Sequence, residues 1–412
     1  MYRILIAHPG KQHSMQMALA VKKHGDEFKY CTTVYNKNSF LMKMGSLFLK
    51  RNDKNKAEKR KIDGLEDKDV IQFCEIEGLL LLLLYRIDKS KILYYKFSEW
   101  VQNRFAKKIA KYAIKEKFDI VIMYDTTATA CFKLLKEKAP NIIRVIDHAQ
   151  TPRNYLYHVY QKLKPECKQF WETFKGARYL NDETYGQLVL QEISLADFHV
   201  VASTFSKKAL ENSEVHQEKI FVVPYGVDHS KFSYIKKNKH KKLKLLFVGE
   251  INQRKGIYQI LEAAKQINNV NIEFHLVGYG KQFNENLYKP YEKYVKFHGG
   301  LFGEELQKIY KECDVFLFPV LGEGFGLVVL EALSSGLPVI SSKNCAGVDL
   351  IKNNYNGKII DAGSTEQLIN AIYYYFNNMN NLDLFQQNAY KSSLKYTWER
   401  YYISIGKILD QI

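Results

Sequence analysis

Short apolar runs recur along the chain, and each is followed by a longer segment whose apolar positions fall three or four residues apart. A run buried on both faces suits a strand of a parallel sheet, and the three-to-four spacing suits a helix laid on that sheet. Their alternation predicts an α/β chain with helices on both faces of a parallel sheet. In the first half the pattern predicts strands over residues 3–8, 28–34, 119–124, 142–147, 197–202 and 220–223, with a helix over 14–24. It is interrupted by an insertion over about 39–99. After Pro224 a Lys-rich polar stretch over 229–242 reads as a linker, and the alternation then restarts. Strands are expected at 243–248, 272–277, 295–298, 315–318 and 338–341, and helices at 256–267, 303–313, 325–335 and 365–377. The resulting division is a first Rossmann-like domain over 1–224, a linker over 225–242, a second Rossmann-like domain over 243–395, and a C-terminal helix over 396–412 expected to return to the first domain. Two such domains leave one cleft, and open sheets of this kind bind ligands at the carboxyl ends of their strands.

Composition narrows the reading. With 412 residues, 46% hydrophobic and 25% charged, the chain can fill more than one core and does not fit a disordered or low-complexity class. The longest apolar run, 79–84 with Tyr85, is bounded by Gly78 and Arg86 and falls short of the roughly 18–20 residues of a spanning helix. The beginning of the chain lacks the features of a secretory signal, so a cytoplasmic location is expected. Six scattered cysteines with no CxxC pair predict reduced thiols, mostly buried. The net charge of +17 is uneven: residues 1–240 carry 42 Lys and Arg against 27 Asp and Glu, whereas residues 241–412 carry 19 against 17. A basic first domain favours polyanionic partners: nucleic acid, anionic lipid or phosphorylated substrates. No RNP-type segment or C2H2 spacing supports nucleic acid. Within the insertion, Phe40, Leu41, Met44, Leu47 and Phe48 fall at helical spacing, and eight basic residues face two acidic ones between Lys43 and Lys61. That combination suits either an anchor on an anionic membrane surface or a solvated loop whose helix packs on its own domain.

Candidate chemistry concentrates in the second domain. The segment Glu323-Gly-Phe-Gly-Leu-Val-Val-Leu-Glu331 follows a strand and opens a helix. Its glycines let backbone amides approach a ligand, and the N–H groups of a helix start attract an anion such as a diphosphate. Glu323 and Glu331 are then free to accept hydroxyl hydrogen bonds from two sugars. A second strand, glycine turn and helix start, Gly249-Glu-Ile-Asn-Gln-Arg254-Lys255, places fixed positive charge where it would stabilise a departing diphosphate. In the first domain the turn His8-Pro9-Gly10-Lys11-Gln12-His13-Ser14 follows the first strand; Gly10 permits close backbone approach, which makes it and Lys11 candidate donor contacts, and His13 is able to cap the next helix. The one DxD, Asp67-Lys68-Asp69, lies in the charged insertion, so no metal ion is expected.

These segments together resemble the family 4 glycosyltransferases, retaining enzymes of the GT-B fold, most specifically over residues 197–361. The motifs are ADFHVVAS, KIFVVPYGVD, VGEINQRKG, HLVGYGK, VKFHGGL, the glutamate motif, and SGLPVISS followed by NGKII. The resemblance implies that Arg254 and Lys255 hold the donor diphosphate. It implies further that Glu323 and the amides of Gly324, Phe325 and Gly326 hold the donor sugar, that those of Leu327 and Val328 touch phosphate, and that Glu331 takes the ribose hydroxyls. The base would lie against Gly278, Tyr279 and Gly280 and against the backbone near Phe297 and His298, while His148 would face the donor hexose. Two positions depart from the family pattern: Glu250 stands where an Arg often follows the glycine, and Tyr225 stands where an Asn precedes Gly226. The implied activity is hexose transfer with retention from a nucleoside-diphosphate sugar to a hydroxyl of a glycan or lipid-linked acceptor, in cell-surface polysaccharide assembly, without cofactor or metal. Peripheral attachment to the inner face of a membrane would follow from the basic half. The rival readings are a GT-B nucleotide-sugar 2-epimerase and a non-catalytic polyanion-binding protein.

Overall fold

The computed structural model describes residues 1–10, 13–36, 60–88, 92–163, 167–171, 173, 183–236, 241–280 and 285–412. In the first lobe, β1 (Arg3–Ala7), α1 (Ser14–His24), β2 (Glu27–Thr32), β3 (Val70–Gln72), α2 (Glu75–Ile87), α3 (Ile92–Lys115), β4 (Ile120–Tyr124) and α4 (Thr129–Lys138) come in order. They are followed by β5 (Ile143–His148), α5 (Arg153–Leu163), α6 (Glu183–Leu195), β6 (Phe198–Val201), α7 (Thr204–Glu211) and β7 (Ile220–Val222). The sheet order is β3-β2-β1-β4-β5-β6-β7, with every pairing parallel. Central β4 is buried along its whole length, as its uninterrupted apolar sequence requires.

The second lobe begins with β8 (Leu243–Val248), α8 (Ile257–Ile267), β9 (Ile272–Val277), α9 (Glu285–Tyr288), β10 (Lys296–Gly299), α10 (Gly303–Glu312) and β11 (Val315–Phe318). It continues with α11 (Leu327–Ser334), β12 (Val339–Ser342), α12 (Gly347–Leu350), β13 (Gly357–Ile360), α13 (Thr365–Asn377) and α14 (Leu382–Ser393). Its strand order is β10-β9-β8-β11-β12-β13, again all parallel. In each sheet the order reverses beside the first strand of the lobe, which opens a crevice at the carboxyl ends of β1 and β8. The expected fold class is borne out, and the strands expected at 243–248, 272–277 and 315–318 coincide with β8, β9 and β11.

Two expectations change. The stretch read as an insertion over 39–99 supplies, in its described part, edge strand β3 and helix α2, so its second half belongs to the first sheet. With only three residues, β3 offers no periodicity to detect. Strand β13 lies within the NGKII segment, a stretch at which the sequence pattern predicts a motif and no strand. The apolar stripe at Phe40 to Phe48 falls outside the described residues. All six cysteines are buried free thiols.

The chain passes between the lobes twice, at 224–242 and again before α15 (Trp398–Leu409). The two crossings touch: Val227 N–H donates to Tyr396 O at 3.1 Å. Gly226 lies so close to the second crossing that a Cβ there would sit 2.2 Å from Trp398 N. Helix α15 then lies on α1, where Tyr402 OH donates to Gln16 Oε1 at 2.5 Å and Lys23 pairs with Glu399 at 2.5 Å.

Candidate active site

The site is assembled from loops at the carboxyl edge of the second sheet. After β8, Asn252 turns the chain by accepting the Lys255 N–H on its side-chain oxygen at 3.2 Å, which fixes the short 3-10 turn Gln253–Lys255. Leu321 N–H donates to Arg254 O at 2.9 Å, and Glu323 N–H donates to Asn344 O at 3.0 Å. Loops following β8, β11 and β12 are thereby tied to one another. The result is that Arg254 and Lys255 converge on one carboxylate oxygen of Glu323: the guanidinium donates to it, and Lys255 Nζ lies 2.5 Å away. Burial alone would raise the Glu323 pKa, but the two cations overcome this and bring it down to about 2. Burial acts the other way on Lys255, pulling its pKa below the usual lysine value against the opposing pull of Glu323. One desolvated carboxylate thus meets two cations, and the cluster keeps a net positive charge.

Just beyond, Gly326 takes φ +88° as the N-cap of α11, and a Cβ there would lie 2.5 Å from the Phe318 ring. The left-handed turn opens α11, whose first amides, those of Leu327 and Val328, follow Glu323 closely in the chain. Farther along α11, Glu331 accepts a hydrogen bond from Tyr310 OH at 3.0 Å, and burial raises its pKa. At the other edge, Gly249 N–H donates to Val277 O at 2.9 Å and Gly278 N–H donates to Gly299 O at 2.8 Å, while Ile251 N–H donates to Tyr279 O at 2.6 Å. These bonds bring the loop Gly278-Tyr279-Gly280 beside Glu250 and Ile251. The Tyr279 ring is exposed there and lies against Gly300. Phe297 instead packs edge-on to Tyr288, 6.0 Å between centroids, and His298 stacks on His275 with Nε2 3.0 Å from its Nδ1. Phe297 is thus taken up by packing, whereas Tyr279 and His298 are both exposed at this edge.

The first lobe closes directly on the glutamate motif. Gly324 approaches the loop after β5 so closely that a Cβ would fall 2.8 Å from Ala149 O. Its carbonyl accepts from Ser203 Oγ at 2.6 Å and Ser206 Oγ at 3.3 Å, and Thr151 Oγ1 lies 2.9 Å from Ser206 Oγ. Tyr160 OH reaches Gly322 O at 3.2 Å. These contacts lie outside the predicted site, because each joins residues more than fifty positions apart; the visible signal was only a Ser and Thr cluster following β6.

The first-lobe residues singled out from the sequence are placed unevenly. Gly10 N–H lies 2.9 Å from His8 Nδ1, and burial lowers the His8 pKa to about 4. Lys11 lies outside the described residues. His148 sits at the expected strand end, but its ring is buried and turned to His199, with Nε2 3.0 Å from Nδ1 and the two rings stacked. Burial holds its pKa well below the usual histidine value. The ring placed to contact the hexose is thus committed to a neighbouring strand. Another histidine is linked to the motif through Tyr225: His13 Nε2 lies 3.0 Å from Asp147 Oδ2 and 2.9 Å from Tyr225 OH. The Tyr225 ring meets Phe325 edge-on at 5.1 Å. Tyr225, which departs from the family pattern, therefore joins the first-strand loop to the glutamate motif. Asp125 accepts N–H bonds from Ala149 and Gln150, both at 3.1 Å, and burial with the charges of Glu192 and Asp147 pushes its pKa up to about 8.

Among the described residues no group of three or more His, Cys, Asp or Glu side chains is placed to hold a metal ion. Asp69 of the DxD segment instead receives Lys22 Nζ at 2.8 Å. A cavity of about 490 Å³ between α3, α4 and α6, lined in part by Lys107, Lys133 and Glu192, belongs to the first lobe alone.

Comparison with known proteins bears on the fold and on the family that the second lobe matches. The family model described as glycosyl transferases group 1 matches residues 230–392. A UDP-Gal:alpha-D-GlcNAc-diphosphoundecaprenol alpha-1,3-galactosyltransferase of Escherichia coli is 33% identical over 171 residues, 37% of this chain and 44% of that protein. The amylovoran biosynthesis glycosyltransferase AmsK of Erwinia amylovora is 29% identical over 164 residues, 37% of this chain and 40% of that protein. The chain thus matches less than half the length of these curated relatives. Whole-chain likeness appears among solved structures: sucrose-phosphate synthase of Thermosynechococcus elongatus has TM-score 0.70 at 17% identity, covering 100% of this chain and 99% of that one. Anabaena Alr3699/HepE in complex with UDP has TM-score 0.65 at 15% identity, covering 100% of both. The chain thus has the GT-B fold over its whole length, and residues 230–392, in its second lobe, match the glycosyl transferases group 1 model.

Proposed function

We propose that the protein transfers a hexose from a nucleoside-diphosphate sugar to a hydroxyl of a lipid-linked glycan, with retention of anomeric configuration, in the assembly of a surface polysaccharide. The observation that carries this reading is the convergence of Arg254 and Lys255 on Glu323 at the start of α11, against the opposite lobe. In a donor complex the diphosphate oxygens take Arg254, Lys255 and the amides of Leu327 and Val328. Glu323, ionised at neutral pH, accepts from hydroxyls of the sugar, and Glu331 accepts from those of the ribose. The base lies on the Gly278-Tyr279-Gly280 loop.

Transfer breaks the bond from the sugar's anomeric carbon to the diphosphate oxygen and forms one to the acceptor oxygen on the same face. The acceptor proton passes to the departing phosphate, so no protein nucleophile is required. The fixed cations and helix amides stabilise charge that grows on the leaving group as the bond breaks, and this lowers the barrier directly. These side chains perform the neutralisation that a divalent ion performs in other transferases.

UDP-sugars are the first donors to test, because the E. coli relative is named for UDP-Gal and Anabaena HepE was solved in complex with UDP-glucose. The test is a melting-temperature screen against nucleoside diphosphates and their sugars, followed by transfer assays with the stabilising donor and NMR of the product anomer. We expect stabilisation by one base class and a product with the donor's anomeric configuration. An inverted product removes the retaining mechanism. Epimerised sugar formed without acceptor would reassign the enzyme as an epimerase.

A further inference from the structure

Helix α2 carries a stripe of apolar side chains that faces away from the protein. Ile76, Leu80, Leu83 and Ile87, spaced i, i+4, i+7 and i+11 on one helical face, are between 45 and 62% exposed. The opposite side of the same helix is seated on the lobe, where Gly78 approaches Thr33 too closely for any larger residue. Ile92, Leu93 and Trp100, at the start of α3, extend the exposed apolar surface. A patch of this kind on a folded lobe marks a surface that something covers.

The surrounding charge says what covers it. From Arg86 to Lys111 the sequence holds eight basic residues and two acidic ones. Trp100 stacks on Phe97, with Arg104 placed over its ring at 5.6 Å. Trp100, Asn103, Arg104, Lys107, Lys108 and Lys111 line an open cavity of about 370 Å³ on α3, which the Arg104–Glu77 ion pair at 3.1 Å joins to α2. Aliphatic side chains flanked by cations and an exposed indole match the boundary between acyl chains and anionic headgroups. A second copy of the chain would bring the same excess of positive charge to the contact and be repelled. No helix among the described residues is long and apolar enough to cross a membrane, so the contact is one that lies in the surface.

We infer that the exposed face of α2, with the start and basic flank of α3, docks the first lobe on an anionic lipid bilayer. The inference needs no assumption about donor chemistry, and it moves the membrane contact from the 40–61 stretch to a folded helix pair. Its position also bears on the acceptor. Thr33, which seats Gly78, donates to Pro9 O at 2.6 Å, so α2 is braced against the loop beside Gly10 at the cleft. A bilayer held by α2 would thus bind the lobe that supplies this wall of the cleft, which suits the lipid-linked acceptor proposed above.

The experiment compares co-sedimentation of the full chain with vesicles of phosphatidylglycerol and phosphatidylcholine against vesicles of phosphatidylcholine alone. The parent should bind the mixed vesicles and not the zwitterionic ones, with a blue shift of fluorescence that Trp100→Phe removes. The double variant Leu80→Glu, Leu83→Glu should lose about tenfold or more of the vesicle affinity, while its melting temperature and nucleotide binding stay those of the parent. Reversal of Lys107, Lys108 and Lys111 to Glu should abolish the anionic preference. Equal pelleting of the leucine variant and the parent overturns the proposal. So does equal binding to both vesicle types, or a parent dimer that the leucine variant dissociates, since the face would then serve self-association.

Discussion

Glu323 and Glu273 are two carboxylates of the second lobe in nearly the same local chemistry. Glu273 accepts from Lys242 at 2.8 Å and Lys296 at 2.9 Å, as Glu323 accepts from Arg254 and Lys255, and each has its pKa brought down to about 2. Their surroundings differ. The cations of Glu273 have side chains 50 and 58% exposed, against 24 and 13% for those of Glu323. Glu273 also lies near the start of β9, at the end of the sheet turned away from the other lobe, whereas Glu323 follows β11 at the carboxyl edge. A depressed carboxylate therefore does not by itself identify a site. What distinguishes the proposed site is a pair of desolvated cations at the carboxyl ends of the strands, facing a second lobe.

The largest expected effect tests this contrast directly. Glu323→Gln should lower kcat for transfer by about 10²- to 10³-fold, the usual loss when one preorganised polar contact to a transition state is removed. Glu273→Gln should stay within about twofold, because its ion pairs are solvated and remote from the cleft. Similar losses in the two variants, measured in one transfer assay, would erase the distinction.

A smaller effect is expected from Gly324→Ala. The added methyl meets the Ala149 carbonyl and forces the lobes apart; overpacking of this kind costs about 1–3 kcal/mol. Activity should fall by roughly tenfold or more, while small-angle scattering shows a more open molecule and each lobe melts as before.

Stability against acid gives the finest comparison. Both carboxylates have folded pKa values below their ordinary 4.5, so the stability they contribute is fully present above about pH 4.5 and is lost as pH falls toward 2. Gln at either position should flatten denaturant midpoints across that window. At neutral pH the Glu273 contribution should be under about 1 kcal/mol and should fade in about 1 M salt, where screening acts over about 3 Å. The Glu323 contribution should persist there.

The second-lobe half of the candidate site was legible in the sequence because its parts are local. Arg254 and Lys255 follow β8 in one short turn, and the motif from Glu323 to Glu331 follows β11 and opens α11, so strand, turn and helix signals coincide with the chemistry. The first-lobe half is assembled from a distance. His148 looked available at a strand end, yet its ring is taken by His199 on the adjacent strand, and only β5–β6 register reveals that pairing. Ser203 and Ser206 meet Gly324 across more than a hundred residues of chain, and Tyr225 acquires its role only when His13 and Phe325 are brought to its two sides. Strand β3 escaped notice for a different reason: three residues at a sheet edge, in a polar neighbourhood, carry no pattern of their own.

The paired crossings between the lobes limit how the molecule can breathe. Because Val227 is bonded to Tyr396 and Gly226 is pressed on Trp398, the two connecting strands act as one leaf, like a door hung on two pins in a single line. Swinging about that line is open to the lobes, whereas sliding or twisting past each other would tear the leaf. A circular permutant opened at one crossing would convert the door into a swivel, and the register between Gly324 and Ser203 would no longer be restored on every closure.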